Sequence, residues 1–367
     1  MRVQRVALPG SRVESWTVLG GDDLPVEPVE RYLAYLSAIE RSPNTVRAYA
    51  FDLKDYFVFL DYRGLDWREV RLEDLGDYVA WLALPPAGRA GQVAVLPSAE
   101  AQVGAATVNR KLSALAAFYA HQVRHGVDVG ELLITWRAGG PRGGWKPFLH
   151  HVSKSKPQAR RTIAVRAPAR LPRVVTVAEM QAILDACEHL RDRFLFALLW
   201  DAGVRIGEAL GLRHADIAAA EAQVTIVRRV NANGARSKPA DARTIPVSAQ
   251  TIRLWGDYLA GEYGDLDSDY VFVNLFAPPR GQAWTYAAVY DLVRRLRMRT
   301  GIVFDPHWLR HAYATSLRDG VPIEVVSKLM GHSSVTTTSA VYGHLTAEDA
   351  RAALEAAGWF TGTQVTM

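Results

Sequence analysis

The stretch DPHWLRHAYATSLRDGVPIEVVSKLMGHSSVTTTSAVYGHL, residues 305–345, constrains this chain most because it places reactive side chains at helical spacing. Asp305 and Pro306 are typical of the N-cap and the first position of a helix. His307 and Arg310 follow three residues apart, so their side chains leave the same face of that helix. The sequence therefore predicts a helix that presents an imidazole beside a guanidinium.

A second, shorter helix is predicted from Pro322 to about Met330. Gly331 ends it, so His332 follows directly after the turn. A third segment leads to Tyr342. One local helical unit thus gathers two imidazoles, a guanidinium and a phenol, a set of phosphate-handling groups beside a possible nucleophile.

A metal site is the alternative interpretation of the same helix, because His307 and His311 lie four residues apart. Arg310 adds a cation to that face, and no acid stands at the position that a zinc protease motif requires. The glycine-rich run at 139–144 lacks the Lys-Ser or Lys-Thr of a phosphate-binding loop. We therefore predict neither a metal nor a nucleotide cofactor.

The segments HWLRH, LMGHSS and TTTSAVYGH resemble the second signature box of the tyrosine recombinases, the phage integrase family. The first box of that family is an arginine in the setting G-x-R-x-x-E-x-L. The segment GVRIGEAL matches it and supplies Arg205 and Glu208. The family's order of residues is therefore present over about half of the chain.

The resemblance implies a site-specific DNA recombinase or integrase that joins a 3′-phosphate to Tyr342 and frees a 5′-hydroxyl. It assigns Arg205 and Arg310 to the phosphate, which suits the forked geometry of a guanidinium. His307 is expected to accept the proton of the tyrosine, and His332 to donate a hydrogen bond to the phosphate.

Two further residues take roles from the same resemblance. Glu208 matches the family's supporting acid, which orients a neighbour. The family protonates the leaving 5′-oxygen with a lysine on a β-hairpin, and Lys238 is the single lysine between Lys156 and Lys328. The local sequence Ser-Lys-Pro departs from the commoner Lys-Thr or Lys-Ser pattern, which leaves the register of Lys238 open.

The predicted fold is mainly α with a small antiparallel β-sheet in an α+β catalytic domain. We predict strands from Gln223 to Val230, Arg243 to Val247 and Tyr270 to Asn274. The resemblance implies a two-domain, C-shaped DNA clamp. The predicted parts are an N-terminal extension at 1–24 with a possible β-hairpin, a helical core-binding (SAM-like) DNA-binding domain at 25–136, a basic linker at 137–172, the catalytic domain at 173–346 and a tail helix at 347–367.

Two helix starts and the linker offer candidate contacts to DNA phosphates, since helix N-termini favour anions. The residues are Asn44, Thr45 and Arg47 at one helix, Asn109, Arg110 and Lys111 at another, and Lys154, Lys156, Arg160 and Arg161 in the linker. From Ile134 to Met180 ten basic residues face one acid, Glu179, although the net charge of the whole chain is a modest +5. Ordinary helix capping and a solvated tether are the alternatives.

The predicted partners are double-stranded DNA carrying two recombination sites, further copies of the chain in a DNA-bound homotetramer, and accessory recombination proteins. No apolar run reaches the roughly 18 residues of a membrane helix, and the first residues lack a secretory signal. Cys187 is the sole cysteine, which excludes an internal disulfide. These features predict a cytoplasmic enzyme.

The tail combines small and apolar residues at helical spacing with Trp359 and Phe360 after Gly358. We predict that it docks in trans on a neighbouring subunit, and packing on its own core is the alternative. The function also leaves alternatives open: a topoisomerase-like or resolving enzyme of the same chemistry, or a non-catalytic DNA-binding regulator on the same fold. The N-terminal extension and the basic linker resemble transposon- or genomic-island-encoded members.

Overall fold

The structure is a computed structural model that describes residues 1–7, 14–84, 103–127, 134–137, 158–161, 163–166, 173–236, 242–317, 320–331 and 347–362. The chain divides into two compact units, Met1–Ala169 and Arg170–Met367. Helices dominate both units, and the strands form small antiparallel sheets. The predicted fold class is confirmed. No helix within the described ranges is long and apolar enough to span a membrane.

Four helices build the core of the first unit. They are α1 (Glu27–Ala38), α2 (Pro43–Arg63), α3 (Leu72–Ala83) and α4 (Ala105–Arg124). Ser42 caps α2 by accepting the backbone N–H of Thr45 at 3.1 Å, and Gly64 ends the helix with φ of +65°. The Tyr56 and Tyr119 hydroxyls bond at 2.7 Å inside the apolar core. A buried hydroxyl pair of this kind fixes how α2 and α4 pack.

A β-hairpin precedes these helices. Its strands β1 (Arg2–Ala7) and β2 (Glu14–Leu19) pair antiparallel, and it packs on α1 and α2. Val18 is fully buried in the helical core, and the Ser15 hydroxyl lies 2.9 Å from that of Ser37. The N-terminal extension is therefore an integral part of the first unit.

Part of the predicted linker also belongs to the first unit. Strands β3 (Ile134–Arg137) and β4 (Gln158–Arg161) form a second antiparallel hairpin. Residues 163–166 then return to α4, where the Asn109 side chain donates to the Val165 carbonyl at 2.7 Å and accepts its N–H at 2.9 Å. These two bonds fasten the segment to the helical core.

The second unit packs its helices around a buried central helix and a three-stranded sheet. The helices are α5 (Val177–Asp185), α6 (Leu190–Ala202), α7 (Ile206–Ala209), α8 (Ala249–Tyr258), α9 (Tyr286–Thr300), α10 (Pro306–Ser316), α11 (Ile323–Met330), α12 (Ala347–Ala356) and α13 (Trp359–Gly362). The strands are β5 (Ile217–Ala218), β6 (Gln223–Ile226) and β7 (Arg243–Pro246), in that order. Helix α6 is buried on all sides along most of its length, and α8 and α10 both pack on it.

Two strand predictions need correction. The first predicted strand ends at Ile226 rather than Val230. The segment Tyr270–Asn274 forms single bridges, Arg213 to Tyr270 and Val273 to Ala283, instead of a strand. The apolar residues of this segment are buried as expected. Each partner segment forms only one residue pair with it, so a continuous series of strand hydrogen bonds does not form.

The described part of the tail folds back on its own catalytic core. Leu354 of α12 is fully buried, and Trp359 is only 3% exposed. The Trp359 ring meets Tyr313 of α10 edge-on, with ring centroids 5.1 Å apart. A Cβ on Gly320 would lie 2.7 Å from that of Ala357, so the glycine permits this close packing. Within one chain the tail therefore packs on its own core, in cis, which is the alternative to docking on a neighbouring subunit.

Trp359→Ala should lower the free energy of unfolding of the catalytic unit by about 3 to 5 kcal/mol, because it removes a large buried ring and leaves a cavity. Met298→Ala is the control, since Met298 is 82% exposed and its loss should change stability by less than about 0.5 kcal/mol. Chemical denaturation monitored by circular dichroism measures both. Equal stability of the two variants would show that the tail does not pack in cis.

Candidate active site

The turn between α6 and α7 positions Arg205. Gly203 ends α6 with φ of +58°, and a Cβ there would lie 2.2 Å from the ring of Tyr313, so only glycine fits. Arg205 then stands at the start of α7 with 20% of its side chain exposed. Its guanidinium donates to Glu208 at 2.8 Å and to the carbonyl of Gly331 at 3.5 Å.

Glu208 is the buried anion of the site. One carboxylate oxygen accepts the Arg205 guanidinium, and the other accepts the Arg205 backbone N–H at 2.9 Å and the Arg243 guanidinium at 2.7 Å. Burial alone would raise the pKa of Glu208, but the hydrogen bond and charge of Arg243, with those of Arg205, bring that pKa below its ordinary value. Glu208 is thus ionised at neutral pH and binds two arginines.

Arg310 lies on α10, where Asp305 caps the helix by accepting the N–H of His307 at 2.9 Å. The Arg310 side chain is 2% exposed and donates to the carbonyl of Gly203 at 2.6 Å and to that of Met330. Burial, followed by the positive charge of Arg205, lowers the pKa of Arg310 to about 10. The group therefore remains a cation at neutral pH.

His307 is the exposed member of the cluster. Its ring meets His311 edge-on at a centroid distance of 4.5 Å. Partial desolvation, then His311, Arg310 and more distantly Arg205, lower the pKa of His307, while Asp305 opposes them. The imidazole is accordingly neutral at pH 7 and can accept a proton.

Arg243 is a site residue that the sequence analysis missed. It opens strand β7, is 8% exposed, and donates to Glu208 and, through Nε, to the carbonyl of Leu329 at 2.9 Å. The available signal was weak: an arginine at the start of a short strand, in a position that alternation turns inward. The pattern alone does not distinguish it from a basic residue at a strand edge.

The structure brings together four of the predicted site residues, Arg205, Glu208, His307 and Arg310. Lys238, His332 and Tyr342 lie outside the described residues, so their roles stay predictions. His332 follows Gly331, whose carbonyl Arg205 contacts. Among the described residues no group of three or more His, Cys, Asp or Glu side chains could hold a metal ion.

The first predicted DNA contacts lie at the start of α2. Asn44 and Arg47 are exposed there, and the Thr45 hydroxyl is engaged with that of Ser42 at 2.8 Å. The Arg47 guanidinium lies 5.2 Å from the ring centre of Trp16, on the N-terminal hairpin. The hairpin therefore helps to place a cation on this surface.

Of the three predicted contacts on α4, two have hydrogen-bond or ion-pair partners inside the chain. Asn109 bonds the backbone of Val165. Lys111 is buried and pairs with Asp52 at 3.2 Å and Asp55 at 2.6 Å. These contacts favour structural roles over phosphate binding, since freeing either side chain would leave buried polar groups unpaired.

The remaining predicted contacts are more accessible or lie elsewhere. Arg110 stays half exposed while it pairs with Asp52, whose carboxylate is fully buried. In the linker, Arg160 and Arg161 stand on β4, and Lys154 and Lys156 lie outside the described residues. Arg110 is thus the α4 residue that remains a candidate DNA contact.

Two family models match this chain. The model described as the phage integrase family matches residues 173–349, and the phage integrase N-terminal SAM-like domain matches residues 29–126. The first match contains every predicted catalytic residue. The second covers the four helices of the first unit apart from the first two residues of α1.

Relatives match over nearly the whole chain. Transposase A from transposon Tn554 of Staphylococcus aureus is 36% identical over 352 residues, which cover 95% of this chain and 96% of that protein. Tyrosine recombinase XerA of Thermococcus onnurineus is 27% identical over 339 residues, covering 92% of this chain and 97% of its own.

Solved structures share the fold. The Tn1549 transposon integrase in complex with circular intermediate DNA aligns with a TM-score of 0.58 at 16% identity, covering 89% of this chain and 98% of that one. A lambda integrase dimer bound to a core site aligns with a TM-score of 0.55 at 16% identity, covering 86% and 93%. With both family models and a relative 36% identical across the chain, this chain belongs to the phage integrase family of tyrosine recombinases.

Proposed function

We propose that this recombinase cuts and rejoins DNA at two specific sites through a covalent link between Tyr342 and a 3′-phosphate. The observation that carries the proposal is the convergence of Arg205 and Arg310 on consecutive carbonyls, those of Gly331 and Met330. Both guanidinium groups therefore lie at the turn that directly precedes His332, which supports their role in binding the phosphate. The segment with Tyr342 begins at the same turn.

The two arginines supply the electrostatic part of the reaction. The pentavalent transition state carries negative charge on the non-bridging phosphate oxygens. A guanidinium donates two parallel N–H groups to such oxygens and stays cationic. Arg205, which is partly exposed, can receive the phosphate first, and Arg310 adds a second positive charge behind it.

Each proton that moves in the proposed reaction has a donor and an acceptor among the site residues and the DNA. The Tyr342 oxygen attacks phosphorus as its proton passes to neutral His307, and the bond from phosphorus to the 5′-oxygen breaks. Lys238 gives that oxygen a proton, and His332 donates a hydrogen bond to the phosphate. Rejoining reverses these steps on the partner strand. Because the phosphotyrosyl bond conserves the phosphodiester energy, the residues alone can complete the reaction, with no external energy source.

Tyr342→Phe should abolish the covalent protein–DNA adduct while it leaves DNA affinity unchanged, because only the attacking oxygen is removed. Denaturing gel electrophoresis of a nicked suicide substrate detects the adduct, and a mobility shift measures affinity. Tyr290→Phe, at an exposed tyrosine on α9, is the matched control and should form adduct normally. An adduct of normal yield in Tyr342→Phe would assign the nucleophile to another residue.

The cleavage rate should fall at low pH as His307 becomes protonated. The pKa of His307 is below the ordinary value of about 6.5. The cleavage rate should therefore be constant at and above neutrality and fall to half its maximum at a pH below 6.5. His307→Gln should lower the rate and remove that midpoint, whereas His311→Gln should retain it. Single-turnover adduct formation between pH 5 and 8 tests this, and an unaltered midpoint in His307→Gln would exclude His307 as the base.

Double-stranded DNA is the proposed partner, in keeping with the DNA complexes of the integrases that share this fold. On the first unit we propose Asn44, Arg47 and Arg110 as phosphate contacts, because all three are exposed. The N–H groups at the start of α2 add to the attraction for a phosphate. This proposed substrate also places the enzyme in the cytoplasm.

Arg47→Ala should weaken binding to any DNA and lower the slope of log affinity against log salt by about 0.9, the value of one lost phosphate contact. Lys111→Met should leave that slope unchanged and instead lower the stability of the first unit by about 3 kcal/mol, because it breaks a buried ion pair. Salt titrations and unfolding curves separate the two. A reduced slope in Lys111→Met would restore Lys111 as a DNA contact.

We further propose that recombination takes place in a homotetramer on two DNA sites, with accessory proteins, and that the tail docks in trans in that assembly. The transposase relative supports movement of a mobile DNA element as the biological role. The predicted domain boundaries are part of the same proposal, except that residues 137, 158–161 and 163–166 of the predicted linker belong to the first unit.

A further inference from the structure

Arg243 is a buried arginine that has no part in the proposed reaction as described so far. Three arginines bond three consecutive carbonyls at the end of α11: Arg243 bonds that of Leu329 at 2.9 Å, Arg310 that of Met330, and Arg205 that of Gly331 at 3.5 Å. The last carbonyls of a helix have no partner within the helix. These three side chains therefore complete the hydrogen bonding of the turn that leads to His332.

Arg243 also shares Glu208 with Arg205. Its Nη2 donates at 2.7 Å to the Glu208 oxygen that the Arg205 guanidinium does not use. The buried carboxylate is thus neutralised from both sides. Without Arg243, Arg205 would be the single cation on Glu208, and its guanidinium would be drawn away from an incoming phosphate.

Arg243 fits closely against the turn itself. Gly331 has φ of +59°, and a Cβ there would lie 2.8 Å from Nη1 of Arg243. With 8% of its surface exposed, Arg243 is not placed to bind DNA directly. Among the described residues its side chain donates to Glu208 and to the Leu329 carbonyl, groups that position other site residues.

We propose that Arg243 is a positioning residue for cleavage: it holds Glu208 and the Leu329 carbonyl so that Arg205 and the turn before His332 are preset for the phosphate. The proposal rests on the proposed function, in which Arg205 binds that phosphate. It predicts a change in the rate of the chemical step with no change in DNA affinity, because the side chain acts through its neighbours.

The test measures the single-turnover rate of adduct formation at saturating DNA, together with DNA affinity, for the full-length protein. Arg243→Met should lower the rate by roughly 10- to 100-fold and leave affinity unchanged, the loss expected when hydrogen bonds to a charged group are removed. Arg243→Lys should recover part of the rate, because it keeps the charge near Glu208 but cannot bond both acceptors.

Arg191→Met is the matched control. Arg191 is equally buried, and it also donates to a carboxylate, that of Asp192 at 2.8 Å, and to a carbonyl, that of Val273 at 3.0 Å. It should lower thermal stability and leave the rate of the folded protein unchanged. An equal loss of rate in both variants would make Arg243 a general stability residue and overturn the proposal.

A double-mutant cycle decides whether Arg243 acts through Glu208. In a Glu208→Gln background, Arg243→Met should lower the rate of adduct formation only a few-fold, because Glu208 no longer carries a buried negative charge that Arg243 must neutralise. The full loss in that background, or weakened affinity with a normal saturated rate, would overturn the proposal. Failure of the proposed function is a separate result: the Tyr342→Phe variant would then still form adduct, whatever the Arg243 variants do.

Discussion

The end of helix α11 is the constraint on which the site depends. Its carbonyls at Leu329, Met330 and Gly331 carry the negative end of the helix dipole and have no N–H donor within the helix. Arginines from β7, α10 and the start of α7 satisfy them. A single helix terminus therefore sets the positions of the cations, and the chain turns directly from it toward His332.

The charge balance of this cluster explains why the proposed phosphate site contains an acid. Arg205, Arg243 and Arg310 bring three positive charges into a buried space, and Glu208 returns one, so the cluster keeps two positive charges for a phosphate. Three unpaired cations would repel one another and lower the stability of the fold. Glu208 reduces the repulsion among the three arginines in the free enzyme, and the cluster keeps a net positive charge that can bind a phosphodiester.

The starts of the helices that Ser42 and Asp305 cap could be predicted from the sequence, because each cap is a hydrogen bond between residues that lie within four positions of each other. Arg243 could not be predicted in the same way, because its contact with Glu208 spans 35 positions in sequence. The ion pairs of Lys111 could not be predicted for the same reason, because its carboxylate partners lie on another helix, 56 and 59 positions away. A basic residue has the same local pattern whether it faces DNA or a buried carboxylate, and only the packing distinguishes them.

The cis position of the tail limits how it can dock in trans. Leu354 and Trp359 occupy the core of their own unit, so release alone would expose large apolar surfaces and cost several kcal/mol. A neighbouring copy of the chain offers an identical cavity for the tail. If every copy in a ring passed its tail to the next copy, each lost contact would form again, and the remaining cost would be the entropy lost when the connecting segments become ordered. Assembly on DNA can then favour the exchange with few new contacts. Because α12 follows Tyr342 by only a few residues, the exchange would also move the segment that carries the nucleophile.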